Sequence, residues 1–429
     1  MLRLTDLREI LRYVPRFRDR VFVIAIDGAI VEDDNFPNIL LDIAHLRSLS
    51  VRVAIVHGAA HQVKRFAEQM KVTPSDLDGT GITTSETLNV AITAANRVSH
   101  EILEGLSAND LRGACPNAVV AHPAGILGGI DHLFTGRVER VDHILLNNLL
   151  EHDIIPVIPP LGCDGVGHSY RLNSDAVAVE VAKTLRAVKL IYLSTETGIK
   201  SGKNVVRQMT VEEAEVFLKK KQTEIPAEMV TKLSHAIRAG KDGVERIHII
   251  DGREDDGLLG EVFSNEGIGT LIYTNEYQSI RPAQKKDVRA VYGLIKGGIQ
   301  TDELVKRTRS DIEKVIGDYF VFEVDRNPVA CAALHVFPET GKAELASVYV
   351  DPRYENKGIG AKMIAFAEVT ARSRGLNELF LLSTQAFNYF IQKGGFKAGT
   401  PDDLPPARRD QYDRNNRRSA VLVKKLNGG

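Results

Sequence analysis

Apolar and polar positions along the chain follow two periods. Residues 5–17 place Leu7, Ile10, Leu11 and Val14 at helical spacing, which predicts a short amphipathic helix. The run VFVIAIDG (21–28) is continuously apolar and stops at Asp-Gly, the pattern of a strand covered on both faces. VRVAIVHGAA (51–60), AVVAHPAG (118–125), DIIPVIPPLG (153–162), KLIYLST (189–195) and ERIHIIDG (245–252) repeat it, with helix-like stretches between them. Strands alternating with helices predict a mainly parallel α/β sheet with helices on both faces. Gly28, Gly58, Gly125 and Gly162 sit in loops after such strands, where open α/β sheets bind ligands.

The texture changes between about 270 and 280. SIRPA (279–283) reads as a strand, Lys286 to Ile295 as a helix, and YFVFEVDRNPVACAAL (319–334) as a hairpin turning at Asp325 to Pro328. KAELASVYVDP (342–352) is a further strand. It enters ENKGIGAKMIAFAEVTARSRG (355–375), a loop opening a long helix, and ELFLLST (378–384) and QAFNYFIQKGGF (385–396) follow as a strand and a short helix. This pattern predicts an N-terminal helix over 1–19, an α/β domain over 20–276 and a second domain with a mixed sheet over 277–429.

Composition narrows the possible functions. The 429 residues are too many for one ordinary core, and 43% hydrophobic with 26% charged residues is the balance of a globular protein. A formal charge of −1 gives no reason to expect nucleic acid or an anionic membrane surface as partner. Cys115, Cys163 and Cys331 are too scattered for a disulfide framework or a metal knuckle, so buried free thiols in a reducing cytoplasm and no metal site are expected. The N-terminal segment alternates in charge and has no long apolar core. Neither a signal peptide nor a membrane span is expected there, and no later segment is long and apolar enough to span a bilayer.

The most informative chemistry lies in 344–364. Gly358 and Gly360 let backbone approach a ligand, and the free N–H groups and dipole of the following helix suit a diphosphate. This strand–loop–helix resembles the GNAT acetyltransferase superfamily, whose loop reads Gln/Arg-x-x-Gly-x-Gly/Ala. Here it reads Glu355-Asn356-Lys357-Gly358-Ile359-Gly360, with Glu355 in the place of the usual Gln or Arg. Arg281-Pro282-Ala283, Leu304 to Arg307, Gly341 to Ala346 and Arg417 to Leu422 extend the resemblance to the bacterial-type N-acetylglutamate synthase family over essentially the whole chain.

That resemblance implies transfer of acetyl from acetyl-CoA to the α-amine of L-glutamate, the first step of arginine biosynthesis. The amine arrives as an ammonium and must lose a proton before it attacks the thioester. Glu344 is the candidate base, directly or through water; on the residues alone it could equally be a strand carboxylate facing solvent. Ser383 and Tyr389 compete to protonate the leaving thiolate. Arg307 and Arg417, with Ser419, are the implied acceptor site, since arginine suits carboxylates. The other charges of RRDQYDRNNRR (408–418) read as a solvated loop. Val348, Tyr349, Val350, Lys357, Gly358, Ile359, Gly360 and Ala361 are the implied acetyl-CoA contacts.

Residues 20–273 resemble the amino-acid kinase fold, above all the acetylglutamate kinases, through VHGAAHQV, GITTSETL, RLNSDAVAVEVA and VTKLSHAI. Such kinases end their first strand Lys-x-Gly-Gly, whereas this chain has Ala25-Ile26-Asp27-Gly28. The lysine that would meet a transferring phosphoryl is gone and an aspartate stands beside the site. His57-Gly58-Ala59-Ala60 likewise carries methyl groups where bare backbone would admit phosphate. Lys232 survives, but one lysine does not restore such a site, so the resemblance implies a kinase-inactive domain. It also implies feedback inhibition by L-arginine bound near Tyr13, His248, Glu261, Gly267 and Gly269, and a cytoplasmic homo-oligomer, a hexamer, joined through its N-terminal helices. The alternatives are a working acetylglutamate kinase, a non-catalytic arginine-binding regulator, or acetylation of a different amine.

Overall fold

The computed structural model describes residues 17–263, 268–274, 278–300, 304–324, 327–355, 358–414 and 419–426. The expected N-terminal helix, with Tyr13, lies outside them apart from Phe17. The chain divides at Asn275/Glu276 into two compact units.

The first unit is built on an eight-stranded sheet. Its strands are β1 (Val21–Ile26), β2 (Arg52–His57), β3 (Arg112–Ala114), β4 (Ile154–Ile158), β5 (Lys189–Ser194), β6 (Gln208–Thr210), β7 (Arg246–Asp251) and β8 (Thr270–Tyr273). The order is β6-β8-β7-β5-β1-β2-β4-β3, and β7 with β8 is the one antiparallel pairing. All six residues of β1 are buried. Val21, Val23 and Ala25 join one apolar cluster, and Phe22, Ile24 and Ile26 another. This alternation means that both sheet faces are covered, which is why β1 reads as an unbroken apolar run. The second face carries α1 (Phe36–Ser48), α2 (Ala60–Met70) and α3 (Ser85–Ala108). The first carries α4 (Ser174–Thr184) and α5 (Ala227–Lys241).

Beyond the carboxyl end of β1, Lys232 on α5 donates to Asp27 at 2.7 Å and to Asp175 on α4 at 3.1 Å. Burial disfavours the ammonium charge, but the carboxylates of Asp175 and Asp27 more than offset this and hold its pKa above the ordinary value. Burial pushes the Asp27 carboxyl up to about 7 against the pull of Lys232. The room over Gly28 is filled as well. Gln62 is fully buried, donates to the Gly28 carbonyl at 2.8 Å, and would collide with any Cβ at that glycine. The surviving lysine is thus consumed internally, and the bare backbone over Gly28 is covered.

The second unit holds a seven-stranded mixed sheet. Its strands are β9 (Gln278–Pro282), β10 (Tyr319–Val324), β11 (Asn327–Phe337), β12 (Lys342–Val350), β13 (Glu378–Ser383), β14 (Lys397–Ala398) and β15 (Ala420–Lys425), ordered β9-β10-β11-β12-β13-β15-β14. Only β12 and β13 run parallel. Helix α6 (Gly257–Phe263) closes the first unit. In the second, α7 (Val288–Gln300) packs on one face with Tyr319, Val321, Cys331 and Tyr349. Helix α8 (Arg309–Lys314) flanks it, and α9 (Ile359–Ser373) covers the other face over Phe320, Leu345 and Leu379. The short α10 (Phe387–Gln392) and α11 (Pro406–Arg414) complete the unit.

Two sequence expectations change. Of the cysteines, only Cys331 is buried, while Cys115 is exposed and Cys163 half-buried. Of the charged stretch read as a loop, residues 408–414 lie in a helix over 406–414 that begins at Pro406, and 415–418 lie outside the described residues. Among the described residues, no helix is long and apolar enough to cross a membrane.

Replacing Lys232 by Met leaves two buried carboxylates facing each other without a cation, and the expected cost is about 3–5 kcal/mol. Asp27→Asn, which keeps the Lys232–Asp175 pair, should cost much less. Denaturant unfolding followed by circular dichroism measures both, since the chain has no tryptophan. Equal losses would show that the triad is not what holds α4 and α5 to β1.

Candidate functional site

Strands β12 and β13 are paired only at Lys342↔Glu378, Ala343↔Leu379 and Glu344↔Phe380. Beyond Glu344 the two strands separate. From there β13 pairs only with β15, and β12 continues along β11 to Val350. A cleft of about 700 Å³ occupies the wedge, lined by Leu345 to Val350 on one side and Leu381 to Ser383 on the other.

The wedge is shaped by a bulge in β12. Between the pairs Ala333↔Ala346 and Cys331↔Tyr349, β11 advances two residues and β12 three. Ser347 absorbs the extra residue at φ +53°, a left-handed conformation rare outside glycine. A bulge leaves its extra residue outside the ladder and bends the strand. Backbone of β12 is thereby turned toward the cleft, where N–H groups can meet the charge of a tetrahedral intermediate.

At the mouth of the cleft, Gly358 caps α9 at φ +73°, a backbone geometry that suits glycine. The first-turn N–H groups of α9 face no preceding helical carbonyl and are available to an anion. Of the residues implied for acetyl-CoA, Val348, Tyr349, Val350, Gly358, Ile359, Gly360 and Ala361 all line this cleft. Lys357 lies outside the described residues. Ser383 and Tyr389 line the same cleft, so it gathers both candidates for the final proton. Ser383 is 9% exposed at the end of β13, whereas the Tyr389 hydroxyl stacks against Gly360, which leaves no room there for a Cβ.

Glu344 sits where β12 and β13 part, with its side chain 8% exposed. Its neighbours across the strands are His335 on β11 and Phe380 on β13. The carboxylate does not face solvent. Arg408 of α11 grips it with both branches, Nε to Oε2 at 2.7 Å and Nη2 to Oε1 at 2.9 Å. His335 donates through Nδ1 to Asp318 at 2.8 Å and meets the Tyr319 ring edge-on, with centroids 6.4 Å apart. Tyr319 in turn lies 3.5 Å from the Ser347 hydroxyl. Burial raises the Tyr319 pKa, and the nearby Arg307 charge opposes the rise, so Arg307 belongs to this neighbourhood. The Ser419 carbonyl accepts from the Tyr412 hydroxyl at 2.8 Å. Arg417 lies outside the described residues. Among the described residues, no group of His, Cys, Asp or Glu gathers as a metal site would require.

Sequence reasoning missed Arg408. It is one arginine among several in a charged stretch, and only the folded path brings it to Glu344, 64 residues away. The prolines at 405 and 406, which start α11, were the one local sign that the stretch is ordered.

A second cluster lies in the first unit. His248 on β7 is buried, with Nδ1 2.7 Å from Glu261 on α6 and Nε2 3.1 Å from the Lys189 ammonium. The second Glu261 oxygen accepts from the backbone N–H groups of Ile268 at 2.6 Å and Gly269 at 3.2 Å. Burial, followed by the Lys189 charge, lowers the His248 pKa to about 4. The imidazole is therefore neutral, donating through Nδ1 and accepting from Lys189 through Nε2. Despite burial, the His248 hydrogen bond and the two amides bring Glu261 down to about 2. His248, Glu261 and Gly269 thus form one hydrogen-bonded chain, while Tyr13 and Gly267 lie outside the described residues.

Comparison with known proteins agrees with both units. Residues 20–251 match the amino acid kinase family and residues 286–396 the acetyltransferase (GNAT) family. The amino-acid acetyltransferase of Pseudomonas fluorescens is 33% identical over 98% of both chains. That of Mannheimia succiniciproducens is 31% identical over 97% of this chain and 96% of its own. The crystal structure of N-acetylglutamate synthase from Neisseria gonorrhoeae complexed with coenzyme A and L-arginine superposes with a TM-score of 0.89 at 29% identity, covering 100% of both chains. The same enzyme complexed with coenzyme A and N-acetyl-glutamate gives 0.63 at 30% identity, again covering 100% of both chains.

The His248–Glu261 chain makes stability depend on pH. The unfolded chain takes up a proton at histidine near pH 6.5, and the folded one resists until about 4, so stability falls with pH across that window. Glu261 extends the loss below about 4.5 toward 2. In calorimetric melting of the full chain, the slopes of stability against pH of the parent and of His248→Gln should differ by about one proton between pH 6.5 and 4, the parent losing more stability as pH falls. An unchanged slope in the variant would place the proton uptake elsewhere.

Proposed function

The chain belongs to the amino-acid acetyltransferases, and from that footing we propose that it acetylates the α-amine of L-glutamate with acetyl-CoA, releasing CoA and N-acetyl-L-glutamate. The observation that carries the reading is the wedge between β12 and β13, with a helix N-terminus at its mouth and the gripped Glu344 on the last residue pair before it opens. The gonococcal N-acetylglutamate synthase complexes with coenzyme A support it.

In this reading the CoA diphosphate rests on the N–H groups around Gly358 to Ala361, next to Lys357. The pantetheine arm runs along Val348 to Val350, in the place a neighbouring strand would take. The thioester then lies near the Ser347 bulge, whose backbone N–H groups meet the tetrahedral oxyanion. Arg307, Arg417 and Ser419 hold the acceptor's carboxylates. Glu344 takes a proton from the ammonium, directly or through one water, and the amine attacks the carbonyl carbon. The C–N bond forms, and as the tetrahedral intermediate collapses the C–S bond breaks; Ser383 passes its hydroxyl proton to the leaving thiolate and regains one from the new amide nitrogen, while Glu344 returns its proton to solvent. Tyr389 is the weaker candidate, because its hydroxyl is held against Gly360 at the diphosphate end of the cleft.

The first unit carries no phosphoryl chemistry in this reading, because Lys232 is consumed by Asp27 and Asp175. Its role is to sense L-arginine, the ligand of the gonococcal complex, around His248, Glu261 and Gly269 with Tyr13 and Gly267. The family resemblance adds a cytoplasmic homo-oligomer, a hexamer, which light scattering of the purified chain tests.

Glu344→Gln is expected to lower turnover by about a hundredfold or more, the usual weight of a positioned base, with acetyl-CoA affinity unchanged in calorimetry. Turnover within a factor of two of the parent would assign the proton to another base. CoA release over a panel of amino acids should depend on glutamate and fall when arginine is added. Glu261→Ala should abolish arginine binding in titration calorimetry, and binding at parental affinity would remove Glu261 from the effector site.

A further inference from the structure

Glu344 can serve as a base only when its carboxylate meets the substrate ammonium, yet both of its oxygens are engaged by Arg408. The pair is largely removed from solvent, at 18% exposure for Arg408 and 8% for Glu344. Deserting it without replacement would strand a charge on each side, at a cost far above that of a surface ion pair. Whatever frees the base must therefore bring both an anion for Arg408 and a cation for Glu344. The acceptor amino acid carries both.

The carrier of Arg408 is suited to such an exchange. Helix α11 has no buried residue. Two side chains fasten it inward: Arg408 to Glu344, and Tyr412, half-buried against the Phe380 cluster, to the Ser419 carbonyl. A helix held by polar contacts rather than by an apolar face can shift at little packing cost.

Resting on the acetyl-transfer reading, we propose that Arg408 is a specificity-determining latch on the base, exchanged by the substrate. In the free enzyme Arg408 pairs with Glu344. On binding, a carboxylate of the acceptor takes the Arg408 guanidinium as a bidentate partner, and Glu344 turns to the acceptor's ammonium. One ion pair in the free enzyme gives way to two in the complex, so no charge is left unpaired. Glu344 then receives the ammonium proton, and the neutral amine attacks. An amine without a suitably placed carboxylate leaves the latch closed. The acceptor's second carboxylate is thereby a condition for catalysis as well as a handle for binding.

The other charged groups around Glu344 stay in place during the exchange. His335 on β11 is tied to Asp318. Lys342, two residues along β12, is held by Glu378 at 2.7 Å and by the Asp403 carbonyl at 2.7 Å. The Arg307 charge acts on Tyr319. Arg408 is the group that changes partner.

The test is steady-state acetyl transfer by the full chain over pH, with Arg408→Gln against the parent. The acid limb of kcat/KM reports the free enzyme and that of kcat the complex. With the latch, Arg408→Gln raises the KM for glutamate roughly tenfold or more, the weight of a charged bidentate contact. It shifts the acid limb of kcat/KM to higher pH, because the free base has lost its cation, and leaves the limb of kcat where it was. If the KM for glutamate is unchanged, or both limbs move together, Arg408 is a fixed partner of Glu344 and the exchange is overturned. If Arg408→Gln loses acetyl-CoA binding and so has not folded, Arg408→Lys decides by the same two readouts, since it keeps the charge and gives up the fork. A parent enzyme that does not transfer acetyl to glutamate sinks the functional reading itself. A glutamate-dependent parent with an indifferent Arg408 variant sinks only the latch.

Discussion

Everything in the second unit follows from the short contact between two parallel strands. Three residue pairs join β12 to β13, and then β11 and β15 each hold one strand on a diverging course. Hydrogen bonding within a sheet normally leaves no room between neighbours. Here the separation leaves edges of β12 and β13 facing an open wedge, and an extended ligand arm can satisfy a strand edge as another strand would. The bulge at Ser347 holds a left-handed backbone at the side of that wedge. Strain of this kind persists only where its surroundings impose it, and here β11, α7 and the cleft do so.

In the first unit an internal ion triad sits beyond the carboxyl end of a complete, mainly parallel sheet. The parallel sheet and its two helical layers are complete, and Lys232 still reaches beyond the carboxyl end of β1. What differs is the charge it meets. Asp27 joins Asp175 around the ammonium, and Gln62 fills the space over Gly28. The Lys232 ammonium is the centre of an internal ion triad. The same elements then serve stability, and the chain of Lys189, His248, Glu261 and the 268–269 backbone ties β5, β7 and α6 in the same manner.

Parts of the site were legible because their signal is local. Gly358 and Gly360 announce a strand-to-helix loop within a few residues, and Ser383 and Tyr389 follow from the next strand and helix. Glu344 was legible as a residue type at a strand position, but its surroundings were not. The alternative of a solvent-facing carboxylate at Glu344 and the expectation of a solvated charged loop fail together, because Glu344 and Arg408 bury each other.

The chain's order alone settled the alternation of strands and helices, the change of texture between the units, the glycines that open α9, and the missing lysine after β1. These rest on periodicity and residue type over a handful of positions. Only the tertiary structure decided which charges meet: Glu344 with Arg408 across 64 residues, and Asp27 with Lys232 across 205. Ion pairing depends on distance in space and on exclusion of water. Neither is set by neighbours in the chain, and both are set by the packing of sheets and helices around it.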